Sequence, residues 1–573
     1  NYKIVPDLPK PLRIADDWEE RNIILEDLKK MLGVRLDEIK DKLNLLSADW
    51  QTLNADAQDW RFPDPSFLSA LREHQARHKY LLRAELVYRL KKAFEQCGDL
   101  DLEGPPEYVL VDEYQDLNPC DIDVVKALAD RGSELFVTGD DDQSIYGFRK
   151  AHPEGIRRFT KDYDGASELK LSVCKRCDPA ILRLGRFVAE QDYRRLPKVV
   201  YPEADRGPGE VQILRFYNQD QEARGVAILC NYLIRGKSYE PHEILVLLRS
   251  DRNRNFSSVL QKAMERMGVP VAAATADANP LRHPQGRQLL ALLRLAVDSA
   301  DHLAWRTLIQ LRPNNLGGKA IEAVYELACK EGLVFSEALK QIEASPHIMS
   351  RFGQRLAEEV RAIRQVAASL PVSEEGKGGE STVPGERLLE GIRELVERII
   401  ESKQDRCNVL AFIEKVFETT GAESVDALVQ ALAVFSEDIE QEIEQGKVNI
   451  LTMHKAKGLT AKAVFIVAAE DEYLPGRAKR EEEIGDERRL LYVSLTRAKH
   501  RLFLTYCQRR TGPQKHSGRN AGKEDRTLSR FLRDGPIIPI TWGNYMKLHP
   551  EVCRVGLDSF DRLDHKIKST VAA

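Results

Sequence analysis

Hydrophobic positions along the chain change period several times, and those changes divide it. Residues 16–32 and 81–94 carry apolar side chains at helical spacing, so residues 1–100 read as a helical subdomain. From residue 108 to about 201, short apolar runs alternate with helical stretches, the pattern of a parallel α/β sheet. The pattern resumes at Gly209: strands predicted over 211–216 and 244–248 precede helices over 219–234 and 256–267. Residues 281–445 are helical again, interrupted by a Gly/Glu/Ser-rich loop over 371–386. Strands return at 448–452, 463–467 and 501–506, which predicts one α/β domain (201–280 with 446–535) split by a helical insertion. The basic, glycine-rich stretch 508–526 reads as a mobile surface loop, and the tail 536–573 adds little.

At 573 residues the chain is too long for a single core. With 42% hydrophobic and 31% charged residues it has the composition of a folded rather than a disordered protein. The longest apolar run, 463–469, falls far short of the roughly 20 residues needed to cross a bilayer. Nine scattered cysteines and no secretory pattern suggest reduced thiols, a cytoplasmic setting and no membrane partner. Only Cys174 and Cys177 form a CxxC, and no second pair completes a zinc site. Net charge −4 excludes a histone-like polycation but not a local basic groove.

Four segments carry chemistry. Residues 108–116, YVLVDEYQD, are an apolar strand ending in Asp112 and Glu113. Residues 139–149, GDDDQSIYGFR, put acids, Gln143 and two aromatics in one turn after a strand over 135–138. Phosphoryl transfer needs a carboxylate for Mg²⁺, another to position water and a polar group to read the terminal phosphate. Strand carboxyl ends suit these roles, because open α/β sheets bind ligands there. Residues 449–459, NILTMHKAKGL, are a strand entering a Thr/His/Lys/Gly turn able to grip a phosphodiester backbone. Residues 486–499, DERRLLYVSLTRAK, read as an amphipathic helix with Arg489 and Arg497 on its polar face. Taken singly, each has a plainer reading: a capped helix start, an acidic loop, a solvated basic turn or a surface arginine.

Together, and in this order, the segments resemble the motifs of the superfamily 1A DNA helicases, the UvrD, PcrA and Rep family. The resemblance runs from about Arg13 to Leu532 and includes residues 171–176, 244–250 and 279–297. It implies an α/β fold of two RecA-like domains, the first incomplete, with two helical accessory subdomains. On that division, residues 1–100 are the first accessory subdomain and 101–200 the remainder of the first RecA-like domain. The second RecA-like domain is 201–280 with 446–535, and 281–445 is the second accessory subdomain.

The resemblance also implies ATP and Mg²⁺ as cofactors and a 3′-to-5′ motor working on single-stranded DNA and duplex junctions. Asp112 would hold Mg²⁺, Glu113 would orient or deprotonate the attacking water, and Gln143 would sense the γ-phosphate. Arg176 and Arg497 would touch that phosphate, and Gly458 would lie at the nucleotide. Tyr146, Phe148 and Arg149, with Thr452 and His454, would meet DNA. DNA repair or replication is the setting implied; protein partners are not.

Several positions depart from the family pattern. No G-x-x-x-x-G-K-[ST] phosphate loop occurs in the 573 residues; Gly236–Lys237–Ser238 follows a helix and lacks the earlier glycine. The chain is therefore expected to be a fragment that hydrolyses no ATP as it stands, although its parent does. Lys175 replaces a usual tyrosine, Thr460 a common glutamate and Phe148 a tryptophan. A non-hydrolysing pseudo-helicase that binds DNA or a partner is the alternative. A two-metal nuclease on Asp112, Glu113, Asp116 and Asp140–Asp142 lacks accompanying lysines or histidines at nuclease-like spacing.

Overall fold

The computed structural model describes Leu8 and residues 12–96, 106–273, 279–311, 317–349, 352–370, 385–422, 424–437 and 443–554. The chain divides into two compact units. One joins residues 1–106, 123–133 and 276–439; the other joins 107–122, 134–275 and 440–573.

The first unit is helical. Asp16 caps the helix at Asp17 through a reciprocal bond with Glu19, satisfying two backbone donors that a helix start leaves open. The run continues through a wider turn at Glu20–Ile24 into Leu25–Leu32 and closes at Gly33, whose φ of +65° suits glycine. Ile23, Leu28, Leu43 and Phe67 form one core with Leu303, while Leu289, Trp305, Phe335, Ile392 and Ile413 belong to another. Buried charges are matched: Glu19 meets Arg294 at 2.7 Å, and Asp27 meets Arg306 at 2.8 Å. Of the loop expected over 371–386, residues 371–384 lie outside the described residues, and a helix already opens at Gly385.

Among the described residues, every strand belongs to the second unit. In chain order these are β1 (Tyr108–Val111), β2 (Glu134–Val137), β3 (Val173–Cys174), β4 (Tyr201–Pro202), β5 (Glu210–Phe216), β6 (Ile244–Leu248), β7 (Val271–Ala273), β8 (Val448–Thr452), β9 (Ala461–Val467), β10 (Ala498–Cys507) and β11 (Ile540–Thr541). Seven form one sheet in the order β11-β5-β10-β9-β6-β8-β7, with every pairing parallel. All five residues of β6 are buried, and all of β9 but Lys462. That is why these strands read as unbroken apolar runs: a parallel sheet covered on both faces leaves no polar alternation. β1 and β2 make a separate parallel pair with open faces, where Leu110 is 74% and Phe136 60% exposed.

Two expectations are decided here. Gly236–Lys237–Ser238 lies at the C-terminal end of the helix Gln219–Lys237, the wrong pole for a phosphate cradle. The stretch 508–526 is anchored at buried residues rather than being a free surface loop. Arg510 is fully buried and pairs with Glu470 at 2.6 Å and Glu222 at 2.8 Å. Arg526 and Gln514 are buried too.

Candidate nucleotide and nucleic-acid site

β1 and β2 run parallel, so their carboxyl ends deliver two turns side by side. Tyr114 N–H donates to Thr138 O at 2.9 Å, and Thr138 N–H to Val111 O at 2.8 Å. Asp112 leaves the end of β1 exposed; one of its oxygens accepts from Glu113 N–H at 2.9 Å and from the Thr138 hydroxyl. Those bonds, led by that of Thr138, hold its pKa below the usual carboxylate value. Glu113 takes a left-handed φ of +53°, which turns the chain into the following helical turn. Gln115, fully buried, ties the two turns together: its amide donates to Glu113, and its carbonyl oxygen accepts from Asp140 N–H at 2.9 Å. A Cβ on Gly139 would collide with the side-chain ends of Gln115 and Ile156, so a larger residue there would have to displace both.

The acidic turn is charge-matched. Lys198 bridges Asp140 and Asp141 and reaches Asp142 at 3.1 Å; Arg157 meets Asp141 at 2.8 Å, and Arg195 meets Asp142 at 2.7 Å. Its carboxylates are thus held by cations, against the nuclease reading. The turn presents Gln143, whose amide donates to Asp140 at 2.8 Å.

Lys457, from the turn after β8, reaches this acidic edge. Its ammonium lies 3.0 Å from Glu113, pairs with Asp116 and donates to Gln143 O at 3.4 Å. Burial would lower its pKa, but the two carboxylates outweigh that and hold it above the usual lysine value. Burial raises the pKa of Asp116, with Lys457 opposing. Sequence reasoning quoted Lys457 within its motif but gave it no separate role; nor did it single out Gln115.

The expected guanidinium pair is brought together by two other elements. Arg176 follows β3 and donates to Thr496 O at 3.4 Å. Arg497 is 2% exposed and donates to Val493 O at 2.8 Å, Thr496 Oγ1 at 3.2 Å and Leu459 O at 3.5 Å, all neutral oxygens. Burial first, and Arg176 second, lower its pKa to about 10; Cys177, Tyr492 and Glu113 oppose the shift. It does not lie on a helix face as expected. The helix is Glu481–Leu495, ends with Thr496 as its cap, and Arg497 follows it one residue before β10. Arg489, expected to stay on the polar face, is 5% exposed and donates to Ser144 O at 2.8 Å.

The residues assigned to DNA form an aromatic edge. Phe148, 66% exposed, meets His454 edge-on at 5.7 Å and Tyr146 at 5.8 Å. Arg149 lies over both aromatic rings, at 5.3 Å from Tyr146 and 5.8 Å from Phe148. Thr452 ends β8, and His454 follows on the next turn. Burial and then Arg249 lower the His454 pKa to about 4, so the ring is neutral at physiological pH. Gly458, at φ +84°, turns the chain toward β9. A Cβ on Gly147 would strike the Asp486 carboxylate, so glycine permits this edge to pack against the helix Glu481–Leu495.

Residues 170–509 match the family model of the UvrD-like helicase C-terminal domain, and residues 10–164 that of the UvrD/REP helicase N-terminal domain. An ATP-dependent DNA helicase Rep from Buchnera aphidicola is 26% identical over 446 residues, 76% of this chain and 67% of that protein. An ATP-dependent DNA helicase PcrA from Bacillus subtilis is 27% identical, over 71% of this chain and 55% of its own length. A PcrA from Leuconostoc citreum is 29% identical, over 70% of this chain and 54% of its own. The chain thus spans between about half and two thirds of these curated relatives.

Proposed function

This chain belongs to the UvrD-like helicase family, and we propose that it carries the phosphate-sensing and DNA-gripping parts of an ATP-dependent DNA helicase or translocase. In this reading the motor moves 3′ to 5′ on single-stranded DNA and opens duplex junctions, in repair or replication within the cytoplasm. Among the described residues, no helix is long and apolar enough to cross a membrane.

The observation that carries the proposal is that the carboxylate of Glu113 lies within electrostatic reach of the buried Arg497. Asp112 and Glu113 leave β1 as exposed carboxylates, while Arg497 is buried with only neutral hydrogen-bond partners and Arg176 beside it. A buried guanidinium without a bonded anion is costly, and a triphosphate relieves that cost. The two arginines hold the terminal phosphate in the transition state, a contribution of roughly 10³–10⁵ in turnover for an arginine finger. Glu113 orients the attacking water and takes its proton, with Lys457 restraining the carboxylate until nucleotide arrives. Gln143 sits on the turn that leads to Tyr146 and Phe148, so a change at the phosphate passes along a few residues to the DNA edge.

Asp112 fits a hard divalent cation: it is exposed, ionised and presents oxygen next to the Thr138 hydroxyl. Mg²⁺ held there would neutralise charge on the β- and γ-phosphates. Phe148 and Tyr146 offer stacking faces without sequence preference, and Arg149 adds a cation beside them.

The test is ATP hydrolysis by a longer form of the protein that carries a G-x-x-x-x-G-K-[ST] loop, with and without single-stranded DNA, alongside Glu113→Gln. DNA-stimulated turnover that this substitution abolishes, while nucleotide binding survives, is the expected result. DNA binding without turnover would instead favour the non-hydrolysing module.

A further inference from the structure

The CxxC of the sequence has no part in that mechanism, yet it brackets one of its arginines. Cys174 ends β3, half-exposed; Cys177 is buried one residue before Asp178, the N-cap of the helix Pro179–Ala189. Cys177 N–H donates to Cys174 Sγ at 3.4 Å. The Cys177 thiol itself donates to Thr496 O at 3.5 Å. A zinc site would need further ligands, and among the described residues no third histidine, cysteine or carboxylate atom clusters with these two.

We propose that Cys174 and Cys177 are a reactive dithiol, a modification site whose chemical substrate is a disulfide. Cys174 is the attacking sulfur and Cys177 the resolving one. The asymmetry follows from the geometry: the exposed sulfur accepts hydrogen bonds, whereas the buried one donates them. It is reinforced electrostatically. Interaction with the Cys177 thiol outweighs half-burial, which would raise it, and with the backbone N–H groups of Cys177 and Arg176 brings the Cys174 pKa down to about 5. The same thiol–thiol bond, and then burial, push Cys177 up.

The charged and titratable surroundings act as follows. Arg206 donates to the carbonyls of Lys175 and Arg176 and pairs with Asp178 at 3.1 Å, and Asp178 also meets His500 at 2.9 Å. Glu203 N–H donates to Cys174 O, and Arg176, Arg497 and Tyr492 lie within electrostatic reach of Cys177. A CxxC beside a helix N-terminus and arginines is the setting in which thiolates form at neutral pH.

The reaction balances with a low-molecular-weight disulfide as oxidant. The Cys174 thiolate attacks one sulfur of glutathione disulfide, forming a mixed disulfide and releasing one glutathione thiolate. Cys177 then attacks Cys174 Sγ, breaking the mixed disulfide, and its proton passes to the departing glutathione thiolate. Two protein thiols are oxidised and one disulfide is reduced to two thiols. Ring closure draws Cys177 Sγ off Thr496 O, the carbonyl that also accepts from Arg176. On the function proposed above, oxidation therefore displaces a phosphate-contacting arginine.

The experiment uses the full chain in glutathione buffers of graded reduced-to-oxidised ratio, with mass spectrometry of the segment holding both cysteines. Expected are the loss of two hydrogen masses on oxidation, and iodoacetamide labelling of Cys174 at pH 6 roughly tenfold or more faster than the exposed Cys407. Cys177→Ser should trap glutathione on Cys174, and Cys174→Ser should end both reactions. Equal labelling of Cys174 and Cys407, or no intramolecular disulfide at any ratio, overturns the proposal. These readouts need no ATP turnover, so they stand or fall apart from the helicase reading. In a longer form carrying the phosphate loop, a reversible, roughly tenfold loss of DNA-stimulated turnover on oxidation, absent in Cys174→Ser, supports the coupling to Arg176; unchanged turnover with the disulfide formed overturns that coupling.

Discussion

The acidic turn Asp140–Asp142 and the carboxylates at the end of β1 contain the same chemistry and meet opposite fates. The turn is saturated by Lys198, Arg157 and Arg195, with Asp141 and Asp142 buried. Asp112 and Glu113 stay exposed, and of the described cations Lys457 alone forms an ion pair with either. The guanidinium groups divide the same way: Arg157 is bound to two aspartates, Arg497 only to neutral oxygens. Matched charges build the scaffold, and on the function proposed above the unmatched Arg497 is left for a ligand.

The comparison breaks most visibly at Arg497. Arg497→Met should lower turnover of a phosphate-loop-bearing form by roughly 10³–10⁵ while leaving thermal stability of this chain unchanged or higher, since a buried charge without a bonded anion is removed. A melting temperature that drops as far as in Arg157→Met would erase the distinction. Arg157→Met itself should destabilise by about 3–5 kcal/mol in denaturant unfolding, because Asp141 and Asp192 lose a cation they share.

Next comes His454, whose folded pKa of about 4 is below its ordinary 6.5. A depressed pKa gives stability that is complete above pH 6.5 and is lost as pH falls toward 4, up to about 3 kcal/mol. His454→Gln should flatten that part of the pH–stability curve; an unaltered slope would contradict a buried neutral ring. The smallest effect is expected for Phe148→Ala, roughly 1–3 kcal/mol in single-strand affinity with stability intact, read by fluorescence anisotropy. Undiminished affinity would take Phe148 out of the groove.

Much of this was legible beforehand, for identifiable reasons. β6 occupies the predicted residues because continuous burial leaves a continuous apolar run, and β8 does so although the buried Asn449 interrupts its run. The family motifs were visible because each is short and local. What failed depended on distance. Arg497 was placed on a helix because apolar spacing continues through it; the Thr496 hydroxyl bonds back to Val493 O and the helix stops before β10. Stretch 508–526 has the composition of a loose loop, and only the remote Glu222 and Glu470 make Arg510 a core residue. Lys457 gains its importance from Glu113 and Asp116, more than 300 residues earlier, which no periodicity reports.

The strand order has an implication for how the protein is made. In the seven-stranded sheet, β5, β6 and β7 never touch one another; their neighbours are β8, β9, β10 and β11. Residues 274–447 intervene, roughly 10–35 s of synthesis at ordinary ribosomal pace. Throughout that interval three strands, including the wholly apolar β6, wait beside the exit tunnel unpaired. A nascent chain arrested before Val448 should therefore engage holdase chaperones strongly, and release them once β10 has emerged.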